Sequence, residues 1–268
     1  MAISKPQAQD ALQVGDAFEF NGLSAPVDGA LEIFPEVQVA VEAATQSART
    51  AISMSYSMNR LRKIAQGKAV RGKFTSEAQD CLRAALLFSG AGLDTALKRL
   101  AAEAIPMLVE TDADVAKRLE EFAEKQISDA SGNASPKELI RLLLGTGATP
   151  RDVMTTRWIN NLEASSAQSA ARVTEIAGAL GVVDPELRRR IAATKTRSST
   201  LEKAFIARNQ IAHELDVTKP EEAARKRLES IRQYRNVDDM IALCQEILDV
   251  TQDIVNDVVM RVKAARAQ

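Results

Sequence analysis

Histidine occurs once in 268 residues, cysteine twice and tryptophan once. One His and two scattered Cys exclude the usual His/Cys zinc sets by counting alone. The count leaves a carboxylate-bound magnesium open. Cys81 and Cys244 both fall inside apolar helical patterns, so they read as small core residues of a reducing compartment rather than as a disulfide. Aromatics make up only 4% of the chain, within a hydrophobic fraction of 46% rich in Ala and Leu. That composition disfavours a sandwich or barrel and favours helices. An excess of either charge is missing too: 35 Lys and Arg face 36 Asp and Glu. A net charge of −1 argues against a general nucleic-acid coat but permits a local basic site. No stretch reaches the roughly 18 apolar residues of a membrane span. The N-terminus, MAISKPQAQDALQVGD, lacks the apolar run of a signal peptide. A cytoplasmic protein that does not enter membranes is expected.

Apolar spacing supplies the elements. Residues 1–34 are punctuated by Gly15, Gly22, Pro26 and Gly29, and read as an arm of loop or short strand. Phe18, Phe20, Leu23, Leu31, Ile33 and Phe34 can pack that arm onto the body. Pro35 opens a helix running to about Gln66, and Thr75 N-caps the next. Gly90 and Gly92 interrupt the second helix, where a missing side chain lets backbones cross closely. Pro106 is expected to kink or end it, with 109–130 continuing as another helix. A short helix follows Ser135-Pro136. A longer one is expected from Pro150 to about Leu180, with Trp158, Leu162, Ile176 and Leu180 on its core face. Residues 221–235 read as a charged helix. The last helix, from Val237 to about Ala265, has the cleanest three-four period in the chain. The sum is an all-α fold: four principal helices in a bundle, with accessory helices and the N-terminal arm. Residues 35–268 form a single helical domain in this reading.

Between Leu187 and Arg208 the chain carries Arg188, Arg189, Arg190, Lys195, Arg197, Lys203 and Arg208 against one acid, Glu202. A charge run of this kind is either a solvated helix face or a surface for a phosphate backbone. Interleaved aromatics are missing, so base stacking is not implied.

The basic segment leads into LEKAFIARNQIAHELD, residues 201–216, which holds His213. On a helical wheel Leu201, Ala204, Phe205, Ala212 and Leu215 share one stripe, and Arg208 falls near its middle. An unpaired buried guanidinium costs several kcal/mol, so Arg208 needs a partner, a wet cavity or an interface. His213 lies about 140° round from Arg208, while Asn209 and His213, four apart, share a face. A site using all three needs the helix to break, or needs a second chain.

Arg208-Asn209-Gln210-Ile211-Ala212-His213 resembles the signature of the HEPN superfamily, an Arg followed after four to six residues by a His, here with four between. The continuation through His213-Glu214-Leu215-Asp216 and Lys219-Pro220 to a long final helix is most similar to the RiboL-PSP-HEPN branch. Weaker resemblance reaches upstream through Gly132-Asn133-Ala134-Ser135-Pro136, and the likeness covers about residues 75 to 262. The family implies an endoribonuclease that needs no metal and no cofactor. It works as a homodimer in which two copies of the motif form one composite cleft. RNA would be cut by attack of its own 2′-hydroxyl. His213 would serve as general base or general acid, Arg208 would bind the charged phosphorane, and Asn209 would orient His213 or bind a phosphate oxygen. A role in phage defence or as a stress toxin, with a regulatory partner protein, is within what the family implies. Two departures stand out. Leu215 occupies the place where one toxin group has a tyrosine modified by its partner, and Ala207 stands where relatives often have a second basic residue. The competing readings are a non-catalytic RNA-binding or dimerisation module of the same fold, and a scaffold bundle in which His213 is structural.

Overall fold

The computed structural model describes residues 17–65, 73–133, 147–192 and 198–267. The chain is all-helical. Among the described residues there are ten α-helices and no strand, apart from one isolated bridge between Val217 and Arg232. They are α1 (Ala30–Ile33), α2 (Pro35–Ala65), α3 (Ser76–Thr111), α4 (Ala113–Asn133), α5 (Pro150–Glu163), α6 (Ala170–Ala179), α7 (Pro185–Ile191), α8 (Thr200–Glu214), α9 (Leu228–Ile231) and α10 (Val237–Arg266). The helix expected after Ser135-Pro136 lies outside the described residues.

α3 is the central element. Leu82, Leu86, Leu93, Leu97, Leu100 and Leu108 are all fully buried along it, which its length and leucine spacing dictate. α2 runs antiparallel to it: Met58 meets Cys81, and Ala44 meets Gly92. A Cβ at Gly92 would overlap the Ala44 side chain, so this glycine is what lets the two helices cross so closely. α10 runs parallel to α3, from Gln79 beside Arg235 to Met107 beside Arg266. α8 packs on both α3 and α10. Its direction is antiparallel to α3, since Arg208 meets Gly90 and Asp216, just past its end, meets Arg83.

Residues 17–29 form an extended arm along α2 and α10. Phe18 N–H donates to Ser53 Oγ (2.8 Å), Ser24 N–H to Asp249 (2.6 Å), and Gln245 donates to the Asn21 carbonyl (2.6 Å). Phe18, Phe20 and Leu23 pack against the core and Phe34 is fully buried, whereas Leu31 is exposed. The arm ends in the short helix α1 rather than in a strand.

Three sequence expectations need correction. Pro106 does not end α3, which continues to Thr111. The break comes at Asp112, whose Oδ1 accepts from the backbone of Asp114 and Val115 at the start of α4. Its Oδ2 pairs with Arg261 of α10 (2.5 Å). The helix expected from Pro150 to Leu180 is two helices. Between them, Ala167 N–H donates to Asp94 of α3 (2.6 Å), Ser169 caps α6, and Arg172 donates back to the Asn161 and Leu162 carbonyls at the end of α5. Trp158, Leu162, Ile176 and Leu180 are nonetheless buried as expected. Residues 221–235 are not one helix. They contain a 3₁₀ turn (Pro220–Glu222), turns, α9 and an extended return. That stretch has too few apolar side chains to bury a helical face, and its end is drawn to Asp216 instead.

Candidate functional site

α8 begins where Ser199 accepts a hydrogen bond from Glu202 N–H (3.0 Å) and runs without a break to Glu214. Leu201, Ala204, Phe205, Ala207 and Ile211 are buried on it. Ala212 and Leu215 are exposed, against the sequence stripe. Besides α3 and α10, α8 also packs against α6 and α7.

Arg208 lies between core and solvent. Its aliphatic stem runs over Gly90 of α3. Nη1 donates to Asn209 Oδ1 (3.1 Å), and Nε is buried without a hydrogen-bond partner. Burial lowers the pKa of the guanidinium, and the nearby Asp94 carboxylate opposes that shift. Asp94 is itself committed to Ala167 N–H and to Lys98 (3.2 Å). The guanidinium therefore keeps donors available on a half-buried wall, with no carboxylate among the described residues paired to it. That is the state suited to binding an anion from outside.

His213 is exposed on the last turn of α8 and makes no hydrogen bond or ion pair with any described residue. It shares a face with Asn209, as four-residue spacing requires. Arg208 and His213 are on one continuous helix and point in different directions, so one chain does not bring them together. Cys244 lies behind the site on α10, where full burial pushes its thiol up to about 12.

The strongest polar feature nearby is one that the sequence reading did not single out. Asp216 is fully buried and is gripped by two arginines. Arg83 of α3 donates from Nε to Oδ2 (2.8 Å), while Arg235 donates to Oδ2 (3.1 Å) and Oδ1 (2.5 Å). Arg235 also reaches Gln210 Oε1 on α8 (2.8 Å), and its backbone is held by both ends of the Gln79 amide. Arg83 continues to the Gln233 carbonyl (2.8 Å), and Gln233 N–H returns to the Asp216 carbonyl (2.8 Å). Burial alone would raise the Asp216 carboxyl. The hydrogen bonds and charges of Arg235 and Arg83 outweigh it and hold the group below the usual carboxylate range. A charged Asp just past a helix end looks like any loop residue in sequence. Only the fold shows that two distant arginines converge on it.

Several described side chains of the basic segment already have partners. Arg188 donates to the Val182 carbonyl (3.1 Å), and Arg189 pairs with Glu186 within α7. Arg190 is bound by Glu246, Asp249 and Asp253 of α10. Lys203 is exposed on α8. Lys195 and Arg197 lie outside the described residues. No family model, curated protein or solved structure matches this chain.

Proposed function

We propose that this protein is an endoribonuclease of the HEPN type, working as a homodimer with Arg208, Asn209 and His213 as its catalytic residues. The observation that carries the reading is the state of Arg208. An arginine takes a half-buried position against Gly90 of α3 and keeps a buried Nε without a hydrogen-bond partner among the described residues. An anion, a second surface or water can complete such a group, and the first two would use it. The unbroken helix through His213 favours completion by a second copy, because two copies of α8 facing each other would bring Arg208 of one near His213 of the other. The packing of α2, α3, α8 and α10 supports a HEPN-like four-helix bundle as the frame.

The chemistry follows from the residue types. The 2′-hydroxyl of RNA attacks the adjacent phosphorus, and the bond from phosphorus to the 5′-oxygen breaks. His213 takes the proton from the 2′-hydroxyl, or delivers one to the leaving 5′-oxygen. Arg208 donates to the phosphorane oxygens, where negative charge accumulates. Asn209, already bonded to Arg208, steadies the guanidinium or binds a phosphate oxygen. The products are a 2′,3′-cyclic phosphate and a 5′-hydroxyl. A role in phage defence or as a stress toxin would suit such an activity.

The test is cleavage of total RNA in EDTA by wild type and by His213→Ala. Cleavage with cyclic phosphate ends by wild type alone is expected. Equal cleavage by both proteins would refute the proposal, and RNA binding without cleavage would favour the non-catalytic module.

A further inference from the structure

We propose that Asp216 is the positioning residue for His213, acting through the last turn of α8. The inference rests on the nuclease reading in so far as His213 is the group to be positioned.

Among the described residues His213 has no side-chain partner, so the backbone of that turn is what fixes where its ring starts. The turn closes without glycine. Leu215 and Asp216 both take positive φ, 51° and 60°, a region L residues adopt rarely. Leu215 N–H donates to the Ile211 carbonyl (3.1 Å) and Asp216 N–H to the Gln210 carbonyl (3.2 Å). Something must hold two such residues in place, and the Asp216 carboxylate is built to do so. It binds Arg235, and Arg235 binds the Gln210 side chain three residues before His213. The turn is thus clamped at its start through Gln210 and at its end through Asp216.

The clamp also sets the turn against the rest of the site. Arg83 ties Asp216 to α3, and Gly90 of the same helix cradles Arg208. Arg83 and Gly90 are seven residues apart, two turns of a rigid helix. One element therefore indexes both ends of the motif. Arg208 is placed by contact with α3, and His213 by a polar circuit anchored on α3.

A residue that merely stabilises the fold would lower the fraction of folded enzyme without changing what His213 does. The single histidine makes the distinction measurable, because protein labelled with ¹³C at His Cε1 gives one imidazole signal. Asp216→Asn is expected to shift and broaden that signal. Gln210→Ala, which cuts only the link to α8, is expected to do so to a smaller degree and carries the test if Asp216→Asn does not fold. Asp112→Asn, which breaks the Arg261 pair at the far end of α3, should leave the signal as in wild type. In RNA cleavage Asp216→Asn should lower the rate roughly a hundredfold, the scale of a small misplacement. KM should stay near that of wild type. Adding His213→Ala to Asp216→Asn should then cost far less than it costs wild type. Multiplicative losses, or an unchanged imidazole signal in both clamp variants, would overturn the proposal. If wild type cuts no RNA, the nuclease reading fails by itself, and the imidazole signal still decides whether Asp216 sets the position of His213.

Discussion

A Cβ placed on Gly90 of α3 would lie 3.6 Å from Cγ of Arg208 on α8, an ordinary contact distance, whereas one placed on Gly92 would overlap Ala44 of α2. Two glycines two residues apart therefore have different jobs. Gly90→Ala should gain about 0.5–1 kcal/mol, because it removes helix-interior glycine without a clash. Gly92→Ala should lose about 1–3 kcal/mol by overpacking a tight helix crossing. Urea unfolding midpoints of the two variants should move in opposite directions. Gly90→Leu adds a larger case. It should push Arg208 off its seat and abolish RNA cleavage while the helical circular dichroism stays that of the wild type.

The Asp216 clamp predicts an acid dependence of stability. Burial acts to raise this carboxyl, but Arg235 and Arg83 hold it below the ordinary range. A depressed folded-state value means that the contribution is complete above the unfolded value of about 3.9. It is lost as pH falls from there through the folded value. Near pH 7, Asp216→Asn should cost about 3 kcal/mol, since it leaves two arginines facing a buried neutral group. Below about pH 4 the gap between wild type and variant should shrink. A gap that stays constant from neutral pH to acid would show that the carboxylate charge is not what stabilises the loop.

How much of this was legible in the sequence differs by element. α2, the start of α3 and α10 were readable, because apolar period and end signals agree: Pro35 and Thr75 start their helices, and the α10 pattern runs to Arg266. The arm was readable from its phenylalanines. The break between α5 and α6 was not, because its cause is a carboxylate on another helix, Asp94, receiving Ala167 N–H. The same holds for 221–235, whose path is set by Asp216 taking Arg235. Arg208 was visible as a polar residue on an apolar stripe, but Gly90, which accommodates it, was visible only as a gap in α3. Arg190 illustrates the opposite limit. Its local run of basic residues gives no sign of the three acids on α10 that occupy it.

Leu215 offers a simple gain in stability. Its φ is 51°, it caps the C-terminus of α8, and its side chain is 65% exposed, so little packing would be lost on removal. Leu215→Gly relieves a left-handed conformation that costs a side-chain-bearing residue about 1 kcal/mol. A higher thermal midpoint with unchanged RNA cleavage is expected. A lower midpoint would mean that the leucine side chain has a covering partner.

The two thiols should separate cleanly. Burial raises both above their ordinary value, and the fully buried Cys244 reaches about 12. Cys81 is only half-buried. A disulfide-exchange reagent at pH 8 should therefore modify Cys81 in the native protein and reach Cys244 only on unfolding. Mass spectrometry of the modified peptide decides it. Early modification of Cys244 would show that α10 opens away from α3 in the native state.

The proposed composite site makes a prediction that no single-chain site shares. Arg208→Ala and His213→Ala should each be inactive alone. Unfolded together and refolded at equal concentration, they should form mixed dimers as about half of the population. A two-fold composite cleft holds two Arg/His centres, and in a mixed dimer one of them receives Arg208 from one chain and His213 from the other, and is whole. The second centre lacks both. One intact centre of two in half of the dimers corresponds to about a quarter of wild-type activity, regained from two dead proteins. If Arg208 and His213 of the same chain worked together, every centre in every dimer would lack one of them, and mixing would restore nothing. The continuous α8, which aims the two side chains about 140° apart, is the reason to expect the quarter.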